Sequence, residues 1–175
     1  MFVYLSVQYR RELVPPTLKR IEEDSMSDAA NTEFTTDELL SHAQGNATAF
    51  ALATIAYLKE RDLAVDDYIR FFGGRFAPGW EELRTQPVVA VARSAALNAV
   101  SVGGALRSLS GDEASAQVVI EGWPAEEISD ALGLERSDGE AMWDSFEPIM
   151  EHLGIRYAWR RENGAVRLTF ERGRE

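Results

Sequence analysis

Residues 155–172 read IRYAWRRENGAVRLTFER, and this stretch decides the fold of the C-terminal part of the chain. Asn163-Gly164 supplies two residues that readily adopt positive φ, as the tight type I′ turn of a β-hairpin requires. One face of the hairpin then carries mostly aromatic and aliphatic side chains, with Arg161 at its turn end. Since an isolated hairpin is only marginally stable in water, we expect a third strand and covering helices. Folding the segment about the turn predicts three cross-strand pairs: Arg161 with Val166, Trp159 with Leu168, and Tyr157 with Phe170.

The third strand is predicted at residues 116–121, AQVVIE, which is rich in β-branched residues. The sequence before it has mainly helical patterns. We therefore predict an α+β fold, with a helical N-terminal half packed on a small antiparallel sheet made of this strand and the C-terminal hairpin. Residues 35–175 form the predicted single domain.

Residues 1–34 are predicted to be an extension that is disordered or lies upstream of the true start. Val14-Pro15-Pro16 interrupts any regular element, and Met26 opens a polar segment typical of a chain start. The alternative is that residues 2–9 form an edge strand of the sheet.

Several helices are predicted from their start and stop signals. Thr35 and Glu38 form a capping box that begins a helix ending at Gly45, and Asn46 begins a second helix at residues 47–61. A third amphipathic helix begins at Val65 and ends at Gly73-Gly74, and a short helical turn follows around residues 78–83.

A helix at residues 88–109, rich in small residues, is predicted to be the buried central helix or a subunit interface. Arg93 and Arg107 leave 13 residues between them. These would span roughly 20 Å, which is too short for a membrane. A last helix is predicted from a capping box at Ser137 and Glu140 to Leu153, bent at Pro148.

The composition restricts the classes of function. The net charge of −11 and the pI near 4.7 disfavour a general nucleic-acid or anionic membrane surface. The chain has no cysteine and two histidines, so thiolate chemistry, disulfides and multi-histidine metal sites are not expected. Without a catalytic motif or a secretory signal, we expect a cytoplasmic, non-catalytic protein that needs no cofactor.

Residues 155–175 differ from the rest, because six arginines stand there against three glutamates. Such a patch on an acidic chain is typical of a solvated strand face. The alternatives are that it holds an anionic ligand or contacts an acidic surface of another subunit.

Aromatic residues predict a binding pocket between the sheet and its helices, because apolar cavities with a few polar groups are the usual small-ligand sites. The alternative is that these residues only fill the core. The leading hypothesis is a small-molecule-binding or sensory domain that forms a homodimer through a helical surface. Its ligand would be apolar or anionic, with Arg161 as the anion partner. The predicted lining residues are Trp80, Trp123, Trp143, Tyr157 and Trp159.

Residues 124–172 also have the order helix, turn, helix and hairpin, and this order resembles the winged-helix layout. A DNA-recognition helix should offer donors to phosphates and bases. The corresponding helix here carries no Lys or Arg before His152, so DNA binding is not expected. The resemblance implies an acidic winged-helix regulator or protein-interaction module. The acidic residues of this helix are Asp138, Glu140, Asp144, Glu147 and Glu151.

A broader resemblance covers residues 36–172, where helices are followed by the strand AQVVIEGWP, a helix ending EHLGI and the hairpin RYAWRRENGAVRLTF. This order resembles the small-molecule-binding domains of the 4-vinyl reductase type, and it implies ligand binding and dimerisation. Those domains often carry cysteines near the terminal hairpin, which this chain lacks. A further alternative is a small carboxylate-dependent hydrolase or isomerase, which predicts a buried Asp or Glu of raised pKa beside the aromatics.

Overall fold

A computed structural model of the protein describes residues 34–173. The predictions for the N-terminal extension, including a start at Met26 and a strand at residues 2–9, lie outside the described residues. Within them the fold is α+β, as predicted: helices dominate the N-terminal half, and a β-hairpin ends the described chain.

The sheet has four antiparallel strands in the order β1-β2-β4-β3. The predicted hairpin forms β3 and β4, and its three predicted cross-strand pairs are all present. Asn163 and Gly164 have φ of 49° and 81°, as the predicted turn requires. The predicted third strand is β2, which pairs with β4. The strands are β1 Ala105–Gly111, β2 Ser115–Glu121, β3 Ile155–Glu162 and β4 Ala165–Arg172.

Strand β1 replaces the end of the predicted helix 88–109. The helix α3, Val88–Ser101, ends where Gly103 adopts a φ of 95°. A Cβ on Gly104 would lie 2.9 Å from the Ala99 carbonyl oxygen, so glycine is needed where the chain turns back. The following residues pair with β2, which would otherwise expose an unpaired strand edge.

The N-terminal helix α1 is one continuous helix, Thr36–Glu60, rather than the two predicted helices. Its capping box at Thr35 and Glu38 is present as predicted. A glycine inside a helix costs about 1 kcal/mol relative to alanine. Tertiary bonds on both sides of Gly45 offset that cost: Gln44 Nε2 donates to the Val100 carbonyl at 2.9 Å, and the Thr48 hydroxyl donates to the Val102 carbonyl.

Helix α2, Val65–Phe76, continues through Gly73-Gly74, where the sequence predicted its end. Gly73 lies directly against the backbone of Ser145, so this glycine serves close packing and not helix termination. The helical turn predicted around 78–83 is a 3₁₀ helix, Ala77–Leu83.

The single helix predicted from Ser137 to Leu153 is three shorter pieces. The capping box uses Glu135 and Asp138, because the Glu140 carboxylate instead accepts hydrogen bonds from arginines. Pro148 has no N–H, so it stands in the first turn of the last piece and not inside a continuous helix. The pieces are α5 Arg136–Glu140, a 3₁₀ helix Ala141–Phe146, and α6 Glu147–Leu153.

Two hydrophobic clusters hold these elements together. The larger one fills the space between one face of the sheet and the helices α3 and α6. The smaller one joins α1 and α2 to Leu134 and to the short helix α4, which is Glu126–Ala131. None of the helices within residues 34–173 is long and apolar enough to cross a membrane.

Candidate ligand-binding groove

An apolar groove of about 240 Å³ lies among α1, α2, α3 and the 3₁₀ helix Ala141–Phe146. It lies among the helices, and not between the sheet and the helices as the sequence predicted. Its walls are therefore built by elements distant in sequence. The lining residues are Ala47, Phe50, Ala51, Thr54, Tyr68, Phe72, Asn98, Ala99, Val102, Trp123, Met142, Trp143, Ser145 and Phe146.

Among the residues that the structure describes, the lining includes no Asp, Glu, Lys, Arg or His side chain. Three of its polar side chains are Thr54, Asn98 and Ser145. The Thr54 hydroxyl donates to the Phe50 carbonyl at 2.9 Å, and the Asn98 amide donates to the Ser94 carbonyl at 3.0 Å. The groove is therefore an uncharged site in which apolar contact dominates.

Trp123 and Trp143 are two tryptophans of the lining, and each carries an indole N–H group. Their rings pack edge to face, with centroids 5.0 Å apart and planes at 78°. Both residues are buried, at 6% and 2% exposure, and neither Nε1 has a hydrogen-bond partner within the described residues. Buried indole N–H groups usually find an acceptor, and leaving one unpaired costs about 1–3 kcal/mol. Both nitrogens are themselves covered by protein atoms, so an acceptor on a bound molecule would relieve that cost only after a shift of the neighbouring side chains.

Three of the other predicted pocket residues contact the 3₁₀ helix Ala141–Phe146 without lining the groove. Trp80 is buried edge-on against Phe146, with ring centroids 6.1 Å apart. Tyr157 donates its hydroxyl to the Trp143 carbonyl at 3.0 Å, and Trp159 donates Nε1 to Asp144 Oδ1 at 2.6 Å. These contacts hold the backbone that carries Trp143, so the three residues support the groove without lining it.

Arg161, the predicted anion partner, is bound to Glu140 and does not line the groove. Its Nε donates to Glu140 Oε1 at 3.1 Å, and Arg136 Nε donates to the same oxygen at 3.2 Å. The Glu140 side chain is 7% exposed, so two arginines surround one buried carboxylate. This ion cluster ties β3 to α5 and leaves the groove without a cation.

The sequence prediction missed the walls that come from the first three helices. On α2, Tyr68 and Phe72 stand four residues apart and lie on the same helix face, with ring centroids 6.1 Å apart. On α1, Phe50 and its small neighbours form the facing wall. The spacing on each helix was visible in the sequence, but only the packing shows that the two faces meet.

The segment 140–153 covers the sheet and seven of its 14 residues are buried, whereas a winged-helix recognition helix must keep one face exposed to reach a partner. This placement favours the pocket interpretation over the winged-helix one. The buried residues of the segment are Glu140, Trp143, Ser145, Phe146, Ile149, Met150 and Leu153.

No carboxyl group within residues 34–173 lines the groove. The Arg84 guanidinium lowers the pKa of Glu81, and the Arg167 guanidinium lowers the pKa of Glu162. Both carboxylates are therefore held in the charged form outside the groove. Residues 34–173 also contain no group of three His, Asp or Glu side chains placed to bind a metal ion.

No protein-family model matches this chain, and no curated protein matches its sequence. The resemblance to domains of the 4-vinyl reductase type therefore stays a prediction from the order of elements. What the protein does has to be argued from the shape and chemistry of the groove.

Proposed function

We propose that the protein is a non-catalytic binding protein for a neutral, largely apolar small molecule. The ligand lies in the groove and presents a hydrogen-bond acceptor to the indole N–H groups of Trp123 and Trp143. The observation that carries the proposal is an apolar groove, uncharged within the described residues, whose wall includes two tryptophans with buried indole N–H groups that have no partner among those residues.

The volume of the groove limits the size of the ligand. Sites for drug-sized molecules enclose roughly 300–1,000 Å³, and this groove has about 240 Å³. A molecule of one or two fused rings, or a short branched chain with one carbonyl, matches that space.

The charge of the lining selects among such molecules. An anion buried without a positive partner would lose its hydration with no compensation. Arg161 cannot compensate an anion here because it is occupied by Glu140. A neutral ligand is therefore favoured, in place of the anionic one that the sequence left open.

The same lining argues against catalysis. A general acid or base must reach the reacting group, and the side chains that most often act in this way are His, Glu and Asp. None of these lines the groove. Binding, and not turnover, is the function that these residues support.

Fluorescence titration with Prodan, a neutral naphthalene ketone, tests the proposal. We expect saturable binding with a blue-shifted emission. Asn98→Phe should weaken it by at least about tenfold, or 1.4 kcal/mol, because the added ring fills the groove. The matched control is Arg93→Phe, on the same helix but outside the lining. Failure of the full-length protein to bind Prodan, or equal binding by both variants, would contradict the proposal.

A further inference from the structure

Helix α1 carries an apolar stripe whose large side chains are left exposed by the other residues between 34 and 173. Its positions recur with spacings of three and four residues over 18 residues, as in the contact seam of a coiled coil. We call it the outer seam. Its residues are Leu40, Ala43, Ala47, Phe50, Thr54 and Tyr57.

The outer seam is exposed at its large side chains. Leu40, Phe50 and Tyr57 are 53%, 76% and 53% exposed. The opposite side of the same helix packs on the body of the protein, where Leu52 and Ile55 are fully buried. Helix α1 therefore has two apolar stripes, and only one of them has a partner within the described residues.

The outer seam also lies in a stretch without charge. Residues 39–58 contain no Asp, Glu, Lys or Arg, although 27% of the chain is charged and the net charge is −11. Two copies of so acidic a protein repel one another over most of their surface. A long uncharged face can meet itself without that repulsion.

We propose that two copies of this chain dimerise through their outer seams, with the two α1 helices antiparallel. Residues whose numbers sum to 97 then face one another, so the large Phe50 of each copy lies over the small Ala47 of the other. The two remaining layers pair Ala43 with Thr54 and Leu40 with Tyr57. The contact is the same in both directions, as a two-fold dimer requires.

Charge at the helix ends sets the antiparallel direction. The first turn of α1 carries Asp37 and Glu38, and its last turn carries Lys59. Lys59 is paired with Asp138 at 2.5 Å and is followed by a glutamate, so the preference from charge arises because antiparallel packing keeps the two acidic first turns apart and opposes the helix dipoles. Parallel packing would bring the two acidic ends together and stack Phe50 on its own copy.

This interface adjoins the groove but does not depend on ligand binding. Ala47, Phe50 and Thr54 belong both to the outer seam and to the groove lining. The α1 helix of the second copy therefore runs along this wall of the groove. The dimer and the ligand site can nevertheless be tested separately, by mass and by Prodan binding.

Sedimentation velocity on the full chain tests the interface. We expect a species of twice the chain mass of 19.5 kDa. Phe50→Glu would bury a carboxylate over Ala47 in both halves of the dimer and should raise its dissociation constant by about 100-fold. The matched control is Phe71→Glu, at another exposed phenylalanine, on α2 and outside the seam, with 66% exposure against 76% for Phe50. A monomer at every concentration, or equal loss of the dimer in both variants, overturns the proposal.

Cross-linking tests the direction, since the chain has no native cysteine. Ala43→Cys and Thr54→Cys proteins, mixed in equal amounts and treated with a short bis-maleimide, should give a cross-linked heterodimer. Each variant alone should give little product, and so should Ala53→Cys, an exposed position outside the seam. Cross-linking of the single Ala43 or Thr54 variants, or of Ala53→Cys, as strongly as the mixture would contradict the antiparallel seam.

Discussion

At the scale of single residues, the Tyr157 hydroxyl connects the sheet to the groove. It lies inside the protein and donates to the Trp143 carbonyl at 3.0 Å. Burial raises the pKa of Tyr157 well above its ordinary value of 10.0, and the charges of Asp144 and Glu147 raise it further. The folded protein thus holds this proton at pH values where the unfolded chain releases it.

That pKa shift predicts a loss of stability in alkali. Above about pH 10 the unfolded state binds fewer protons than the folded state. The free energy of unfolding should therefore fall by up to about 1.4 kcal/mol per pH unit from this group until the folded pKa is reached. Tyr157→Phe should reduce that slope and cost about 1 kcal/mol at neutral pH for the lost hydrogen bond. Urea unfolding of both proteins between pH 8 and about pH 11 measures the difference, and identical slopes would contradict the assignment.

The indole donors give a second prediction at this scale. Trp143→Phe keeps an aromatic ring in the groove but removes the N–H, so the affinity for Prodan should fall about 2–10-fold, as expected for one neutral hydrogen bond. Trp80→Phe makes the same change at a buried tryptophan that does not line the groove. That control should bind Prodan as the unmodified protein does. A larger loss in Trp80→Phe than in Trp143→Phe would contradict the site.

At the scale of elements, the Gly73-Gly74 pair of α2 allows two effects on stability to be measured separately: close packing at Gly73 and helix propensity at Gly74. A Cβ on Gly73 would lie 2.1 Å from the Ser145 carbonyl oxygen, while a Cβ on Gly74 would meet nothing within 4 Å. Gly73→Ala should therefore destabilise the protein by about 1–3 kcal/mol. Gly74→Ala should stabilise it by about 0.5–1 kcal/mol. Thermal unfolding of both variants tests the packing of α2 on the 3₁₀ helix, and equal effects would contradict it.

The ion cluster between α5 and β3 gives a prediction that separates stability from binding. Arg161→Leu leaves the buried Glu140 with Arg136 alone and should lower the free energy of unfolding by about 1–3 kcal/mol. The affinity for Prodan should not change, because Arg161 does not line the groove. Chemical denaturation and a Prodan titration on the same variant provide the two readings. A loss of affinity with unchanged stability would restore the ligand role that the sequence predicted for Arg161.

Local signals were sufficient for part of the fold. Asn163-Gly164 determined the hairpin, and the alternation around it determined the register, because a shift of one residue would have exposed the aromatic face. The boundaries of helices were harder to predict. Gly45 and Gly73 resemble stop signals, but tertiary contacts carry the helix through both of them. Because the run of small residues after Val88 continues past Ser101, the sequence did not show where α3 ends and β1 begins.

At the scale of the whole molecule, the arginines of the hairpin form ion pairs and hydrogen bonds with other groups of the same chain. Within the described residues, each of its arginines is bound to a carboxylate or to backbone carbonyls. Within the described residues the patch therefore forms a paired strand face, as the solvated-face interpretation of the sequence predicts. The pairs are Arg156 with Glu171, Arg160 and Arg167 with Glu162, Arg161 with Glu140, and Arg172 with the Arg84 and Gln86 carbonyls.

The groove shows how far the sequence could predict a site. Trp123 was predicted from its type and its place at an element end, and Trp143 from its aromatic type; both line the groove. Trp80, Tyr157 and Trp159 were chosen on the same grounds, but they pack beneath it. Only the packing of α1, α2 and α3 decides which aromatic residues face the open space, and no local spacing encodes that packing.

The central claim is that a neutral ligand accepts hydrogen bonds from two particular tryptophans. The chain has four tryptophans, so a ¹H–¹⁵N correlation spectrum resolves four indole N–H signals, which single Trp→Phe variants assign. Titration with Prodan should move the signals of Trp123 and Trp143 and leave that of Trp80 in place. Movement of the Trp80 signal alone, or four signals unchanged at saturating Prodan, would contradict the account.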